Sequence, residues 1–202
     1  MTASEQDPVA RAAWRAAVAA LDPTTFVFVD ESSTSIAFTR RYARAPRGTR
    51  AVAAVPRNHG TPTSLVAALS LSGVGAAMTL EGALDGAAFT AYVRECLCPT
   101  LQPGQIVFVD NVGIHHGAAI REHVEAAGCR LRFLPAYSPD FAPIEQAFAK
   151  IKEALRAAGA RTQAALETAI AAALDGVTAA DALGWFSHCG YALEDQSACK
   201  PL

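Results

Sequence analysis

The hydrophobic and polar positions divide the chain into a leading helix, a run of strands and a helix-rich second half. Residues 1–22 are rich in alanine, carry a weak apolar stripe and end at Asp22-Pro23, a pattern that predicts an N-terminal helical linker. Residues 26–30 are almost wholly apolar, which is typical of a strand buried on both faces. A polar turn is predicted at 31–33, and further β-like runs are predicted at 34–39, 51–56, 64–71 and 76–80.

The apolar residues take a helical period after Asp85, which is a suitable N-cap. A helix from there to Pro99 is followed by strands at 106–110 and 131–134 and by helices at 118–127, 143–158, 162–174 and 179–187. Several leading strands followed by alternating helices and strands predict a mixed sheet with helices on its faces.

The composition favours one folded unit. A length of 202 residues suits a single domain, and 51% hydrophobic with 18% charged residues provides ample core. Apolar runs are broken before the roughly 20 residues that a membrane span needs, and the charged N-terminus does not resemble a signal peptide. We therefore expect a soluble, intracellular protein. Its cysteines, an odd number without framework spacing, are expected to be reduced: Cys96, Cys98, Cys129, Cys189 and Cys199.

The charge is unevenly distributed. The net charge of −2 argues against a strongly basic nucleic-acid binder. Six arginines and no acid nevertheless lie between Arg40 and Arg57, so the chain carries one local basic surface on an otherwise acidic body.

Two buried-type strands end in aspartate at matching places, Asp30 after FVFV and Asp110 after IVFV. Ligands of helix-covered sheets bind where strand ends open into crevices, and a carboxylate there is a suitable seat for a divalent metal. The alternative is that each aspartate begins a turn, which is common.

Glu145 is the third acidic candidate. It stands at the start of a helix with an apolar stripe of Ile144, Phe148, Ile151 and Leu155, and Pro143 fits the first turn. A glutamate in the first turn is also favoured by the helix dipole alone, so a purely structural role stays open.

The spacing of these acids and the sequence motifs around them resemble those of the DDE transposases of the mariner superfamily, most closely the bacterial insertion-sequence type. Asp30 ends the first strand, Asp110 ends a later strand after a long interval, and Glu145 follows on a helix after a much shorter one. The motifs that carry the resemblance are FVDES, the PRG turn at 46–48, VDN followed by His115, LPAYSPD and PIEQAFAKIK. HCGY at 188–191 resembles the C-terminal part of such proteins. The resemblance covers residues 26–151.

The resemblance implies a ribonuclease-H-like fold over residues 23–202, with a mixed five-stranded sheet and helices on both faces. It implies that Asp30, Asp110 and Glu145 hold two Mg²⁺ ions, with Mn²⁺ as a substitute, and that the reactions are cleavage of transposon ends and joining of the 3′-OH to target DNA. Carboxylates with substrate phosphate are the hard oxygen ligands that Mg²⁺ takes. The implied partners are DNA and further copies of the chain, as a homodimer or higher oligomer in a synaptic complex. The implied location is the nucleoid in the cytoplasm.

The helix-turn-helix domains with which such relatives read DNA are absent from this sequence, so we expect a separate subunit or a missing N-terminal domain to supply them. Two positions depart from the family: Ala142 replaces the usual Asn before the PIE motif, and Phe148 replaces a Trp. Loss of an N-cap costs about 0.5–2 kcal/mol, unless Asp140 caps the helix instead.

Several polar residues are accessory candidates. Asn111 and His115 match the family's pattern and can orient water or phosphate. Asp140 is a weaker candidate that suits a cap, and His116 and Glu31 are weaker still. A loop Asn, a satisfied core His and a solvated basic face are the corresponding structural alternatives. Candidate DNA contacts are basic residues near these motifs: Arg40, Arg41, Arg44, Arg47, Lys150 and Lys152.

Three other interpretations are carried forward. The chain can be a catalytically silent transposase remnant that pairs with an intact transposase, or a free-standing nuclease on the same fold. A zinc site from Cys96, Cys98, Cys129 and His115 is disfavoured because no CxxC pair exists.

Overall fold

The computed structural model describes residues 4–58 and 60–191. Within this part of the chain, the strands are β1 (Phe26–Thr34), β2 (Thr63–Ser70), β3 (Gly73–Glu81), β4 (Ile106–Val109) and β5 (Arg130–Phe133). The α-helices are α1 (Pro8–Ala19), α2 (Gly86–Tyr92), α3 (Ala118–Ala126), α4 (Ile144–Ala158), α5 (Gln163–Asp175) and α6 (Ala179–His188).

The strands form one mixed sheet in the order β3-β2-β1-β4-β5. The pairs β1–β2 and β2–β3 are antiparallel, whereas β1–β4 and β4–β5 are parallel. The predicted five-stranded mixed sheet is therefore confirmed, and the candidate aspartates lie on or directly after its neighbouring strands β1 and β4.

Alternate side chains of these two strands point to opposite faces of the sheet. Phe28 and Phe108 lie in a core with α1, α4, α5 and α6, while Val29 and Val109 lie in a second core with α2 and α3. Helices thus cover both faces, as predicted, and the near-continuous apolar strands follow from burial on both sides.

Capping residues set several helix starts. Asp85 accepts a hydrogen bond from the Ala88 amide at 2.8 Å, as predicted, and Thr162 accepts one from the Ala165 amide. Helix α2 continues through a π-helical turn (Val93–Leu97) and a 3₁₀ turn (Cys98–Thr100). Cys96, Cys98, Cys129 and Cys189 are free thiols, and Cys199 lies outside the described residues.

The region after Asp30 differs from prediction. The expected polar turn at 31–33 is wrong, because β1 runs on to Thr34 and pairs there with β2 from Glu31↔Val66 to Thr34↔Thr63. The strands expected at 34–39 and 51–56 are also wrong: residues 35–58 and 60–62 form neither helix nor strand. Residues 51–55 are exposed and have no neighbouring strand to pair with, so their apolar character alone does not produce one.

Among the described residues no single helix is long and apolar enough to cross a membrane. Helices α5 and α6 reach the required length only together, and they are bent by 74° at the break between them.

Candidate functional site

The strand register brings Asp30 and Asp110 side by side. The parallel pairing of β1 with β4 reaches Phe28↔Phe108, and each aspartate comes two positions later. Paired strands lie about 4.8 Å apart, so the two backbones are still neighbours when the pairing stops. Beyond that point β1 continues along β2 while β4 ends at Val109, and a crevice opens between them.

Glu145 reaches the same crevice from the first turn of α4. The apolar stripe of α4 packs on the sheet face that carries Phe28 and Phe108, and this contact aims the helix N-terminus at the strand ends. Asp30, Asp110 and Glu145 all line one cavity of about 350 Å³. Its remaining wall is largely apolar and includes the loop at 134–139.

The three carboxylates interact electrostatically. Burial raises the pKa of Asp30 to about 8, against the effect of a hydrogen bond from the Glu31 amide, and the negative charges of Glu145, Glu31 and Asp110 raise it further. Glu145 is exposed at the cavity rim, and its pKa is raised by partial burial and by Asp110 while Lys152 opposes the rise. Mutual repulsion of this kind is what three carboxylates without a countercharge experience.

Asp110 is held differently. Although burial opposes it, hydrogen bonds from His115 and from the Val112 amide lower the pKa of Asp110. Both donors reach the same oxygen, Oδ1, at 2.6 Å from His115 Nδ1 and 3.1 Å from Val112 N. Asp110 is therefore ionised and oriented, and its Oδ2 makes no hydrogen bond within the described part of the chain.

The donor set fits a hard divalent cation. Carboxylate oxygens are the ligands that Mg²⁺ and Mn²⁺ take in proteins, and a cation would relieve the repulsion that raises the pKa of Asp30. The carboxylates line a shared cavity rather than surrounding one point: in residues 4–58 and 60–191 no three His, Cys, Asp or Glu side chains already converge on a single metal position. Carboxylates around Mg²⁺ commonly leave room for several waters and substrate phosphates, so a cavity is the expected form of such a site.

A family model of the DDE superfamily endonucleases matches residues 25–167 of this chain. The match runs from β1 to α5 and contains all three cavity carboxylates. The chain belongs to the DDE superfamily endonucleases. Comparison with curated protein sequences finds no match.

Solved structures of the Mos1 mariner transposase share the fold of this DDE superfamily member. A Mos1 paired-end complex with the left transposon end has a TM-score of 0.72 at 17% identity and covers 94% of this chain and 61% of its own. A mariner Mos1 paired-end complex with Mn has a TM-score of 0.70 at 18% identity, covering 94% and 62%. The isolated Mos1 catalytic domain has a TM-score of 0.61 at 17% identity, covering 83% and 78%. The predicted ribonuclease-H-like fold is thereby confirmed.

This DDE superfamily chain spans only part of those transposases. It covers 53% of the chain in a pre-cleavage Mos1 transpososome and 55% in the Mos1 strand transfer complex. Sequence identities this low establish a shared fold, and activity has to be argued from the site itself.

Asn111 also lines the cavity of the DDE site. Its Oδ1 accepts a hydrogen bond from His116 Nε2 at 2.8 Å, and the His116 ring stacks on Phe133 with centroids 4.3 Å apart. His116 therefore orients the Asn111 side chain, which lies at the cavity wall. Its role toward water or phosphate stays a prediction.

Asp140 is not part of the cavity wall, contrary to its candidacy as an accessory residue. Arg11 of α1 binds it with its two terminal guanidinium nitrogens, at 2.6 and 3.0 Å, and this pairing lowers the pKa of Asp140. The suggestion that Asp140 caps α4 is wrong: the cap position is Pro143 and no side chain caps the helix. Ala142, the departure from the family pattern, is buried in the core beside the cavity.

Helix α1 ties down the loop that walls the cavity. Arg11 also donates to Ser138 Oγ at 2.6 Å and lies over the Phe141 ring at 4.1 Å. The Gln6 side chain donates to the Tyr137 carbonyl, where Tyr137 has a left-handed backbone with φ of 55°. A side-chain strap of this kind fixes the shape of one cavity wall.

We expect Arg11→Ala to lower the free energy of unfolding by about 1–2 kcal/mol, because a bidentate ion pair and a cation–π contact are lost. Since pairing lowers the pKa of Asp140, the part due to the ion pair is present above the ordinary carboxyl pKa and fades as the pH falls through the lowered value. Denaturant unfolding at pH 7 measures the loss. Arg94→Ala, which removes an exposed pair with the adjacent Glu95, is the matched control with an expected loss below about 0.5 kcal/mol. Equal losses of unfolding free energy in Arg11→Ala and Arg94→Ala would contradict a stabilising role of the contacts between α1 and the loop.

The basic candidates divide into three groups. Lys150 pairs with Asp181 of α6 at 2.5 Å, and its assignment as a DNA contact stays a prediction. Lys152 is close enough to lower the pKa of Glu145 and stays a candidate. The arginines of the 35–62 segment are all exposed, without a hydrogen bond or ion pair to the described residues: Arg40, Arg41, Arg44, Arg47, Arg50 and Arg57.

Two contributors to the site carry little or no signal in the sequence. Glu31 is only a weak candidate by sequence, yet it contacts His115, and strand alternation already places it on the sheet face opposite to Asp30. The role of Arg11 is not visible in the sequence at all, because its partner Asp140 lies 129 positions further along the chain. The zinc alternative finds no support, since within the described residues no three Cys or His side chains converge on one position, and His115 contacts Asp110 and Glu31 instead.

Proposed function

We propose that this chain is the catalytic domain of a DNA transposase of the mariner superfamily, of the bacterial insertion-sequence type. It cleaves the ends of a transposon and joins the freed 3′-OH to target DNA. One observation carries the proposal: carboxylates from β1, from the residue after β4 and from α4 line a single cavity on one face of the sheet. Family membership supports the nuclease chemistry.

Each carboxylate has a distinct part in the proposed site. Asp30 and Asp110 would hold divalent ions between the strand ends, and Glu145 would complete the ligand set from the helix. When bound, two such ions supply an activated water or 3′-OH and stabilise the leaving oxygen of an in-line displacement. The protein positions the carboxylates: the Glu31 amide holds Asp30 Oδ1 at 2.8 Å, and His115 with the Val112 amide holds Asp110 Oδ1.

Exposed arginines supply the proposed DNA contact. Arg40, Arg41, Arg44 and Arg47 lie on an irregular segment without acids, so they are free to follow a phosphate backbone. Lys152 stands two helical turns beyond Glu145 and adds a positive charge near the scissile phosphate. A surface of this kind binds DNA independently of sequence, which places end recognition elsewhere.

The larger assembly is part of the proposal. Solved relatives are described as paired-end and strand transfer complexes of Mos1. By analogy, two or more copies of this chain join two transposon ends, with a helix-turn-helix module from a separate subunit or a preceding domain. The proposed location is the nucleoid in the cytoplasm.

The test incubates the purified chain with supercoiled plasmid and a labelled short duplex that carries a free 3′-OH. In Mg²⁺ or Mn²⁺ we expect nicked plasmid with 3′-OH and 5′-phosphate ends, and covalent transfer of the label to the plasmid. Excess EDTA should remove both products. Nicking without transfer would support a free-standing nuclease, and neither product in either metal, with no Mn²⁺ bound to the chain alone or with DNA, would support a silent remnant.

A further inference from the structure

A wholly buried histidine joins two acidic residues behind the cavity. His115 has 0% of its surface exposed, its Nδ1 lies 2.6 Å from Asp110 Oδ1, and its Nε2 lies 3.2 Å from Glu31 Oε2. The ring is fixed by the buried Phe89 of α2, with ring centroids 4.3 Å apart. Between these contacts His115 has little freedom to reorient.

The contact with Glu31 is unusual. Glu31 Oε2 and His115 Nε2 are both buried, and neither has a well-directed hydrogen bond within the described residues, although they face each other. Burying polar atoms without full pairing costs stability. A fold that tolerates this arrangement beside candidate metal ligands points to a functional reason for it.

Glu31 also reaches the other aspartate. Its backbone amide donates to Asp30 Oδ1 at 2.8 Å, while its side chain faces the histidine that holds Asp110. Because β1 is still paired with β2 at this position, the Glu31 backbone is fixed by the sheet. Glu31 therefore contributes to the orientation of both aspartates, through its backbone for Asp30 and through His115 for Asp110.

The result is a consistent orientation of the two carboxylates. Oδ1 of Asp110 is occupied by two donors and Oδ1 of Asp30 by one, so the remaining oxygen of each is the one available to a ligand in the cavity. Groups behind metal ligands commonly fix them in this way.

We propose that Glu31 and His115 are positioning residues that orient Asp30 and Asp110 toward the divalent ions and so set the affinity of the site for metal. The inference rests on the proposed function and extends it by two residues that touch neither DNA nor metal. Loss of either residue reduces metal affinity at temperatures where the protein is fully folded.

The experiment measures Mn²⁺ binding to the full chain by calorimetry and by the electron paramagnetic resonance signal of free Mn²⁺. We expect His115→Ala to weaken Mn²⁺ binding about 10–100-fold. His115→Asn should recover part of the loss, because its amide nitrogen occupies nearly the position of Nδ1 and donates to Asp110. Glu31→Gln should weaken binding less than His115→Ala, and the double variant should bind as His115→Ala does, since both act along one chain of contacts.

His123→Ala, on α3 away from the cavity, is the matched control and should bind like wild type. Thermal unfolding of each variant separates a lost fold from lost affinity, and should His115→Ala fail to fold, His115→Asn and Glu31→Gln carry the test. Equal Mn²⁺ affinity in wild type and in the folded variants would overturn the positioning role and leave the proposed function intact. Absence of Mn²⁺ binding by wild type, with and without DNA, would overturn both.

Discussion

Asp110→Asn is expected to reduce DNA cleavage and strand transfer at least about 10³-fold while leaving the fold intact. An asparagine oxygen can still accept the hydrogen bonds from His115 and the Val112 amide that Asp110 Oδ1 now receives. The amide nitrogen then replaces the oxygen that faces the cavity, and it neither ligates a cation nor carries charge. Loss of several kcal/mol of metal-dependent stabilisation corresponds to this reduction in rate.

The measurement compares plasmid nicking and label transfer by wild type and by Asp110→Asn in Mg²⁺ and in Mn²⁺, with circular dichroism to verify folding. Asp175→Asn is the control, because Asp175 lies at the end of α5 and away from the cavity. Cleavage by Asp110→Asn at the rate of the control would contradict the assignment of the site.

Asp30→Asn is expected to abolish cleavage as well and, at the same time, to stabilise the metal-free protein. Asparagine keeps the acceptor for the Glu31 amide and removes a carboxyl group whose ionised form is disfavoured by burial and by the neighbouring carboxylates. Relief of such a site typically adds about 0.5–2 kcal/mol to the free energy of unfolding. Divalent metal should raise the melting temperature of wild type and leave that of the variant nearly unchanged.

The stabilisation by Asp30→Asn should depend on pH in a defined direction. The pKa of Asp30 is raised to about 8 in the folded protein, against the ordinary 3.8. Between these values the native state binds the additional proton, so wild-type stability from this group falls as the pH rises. The variant should therefore match wild type near pH 4 and exceed it most above pH 8, in melting curves recorded with EDTA. A difference that is constant with pH would show that Asp30 is not held at a raised pKa.

The core of the site could be predicted from the sequence because local patterns offered the three carboxylates as candidates and the resemblance to the DDE transposases singled them out. Two strands with similar apolar sequences each lead into an aspartate. Parallel pairing of these strands in register is enough to bring Asp30 and Asp110 together. For Glu145, the apolar stripe predicts the helix and its packing face, whereas the role in the site came from the resemblance. The starts of α2 and α5 were equally predictable, since helix caps act over a few neighbouring positions.

The remainder depends on contacts between distant segments. The extension of β1 to Thr34 is stabilised by pairing with β2, which begins only at Thr63. The polar sequence of the extension gives no indication of a strand. The pairing of Asp140 with Arg11 and of Lys150 with Asp181 likewise joins separate helices and loops. Such pairings decide whether a charged residue serves the site or the fold, and a pattern along one segment does not contain them.

The most direct test of the shared metal site is a crystal structure of the wild-type chain soaked in Mn²⁺, with the ions located by their anomalous scattering. We expect two Mn²⁺ ions about 3.5–4 Å apart in the cavity, or one in the absence of DNA, with oxygens of Asp30, Asp110 and Glu145 among their ligands. Mn²⁺ bound elsewhere, or a cavity ion that none of these three carboxylates contacts, would contradict the proposed site.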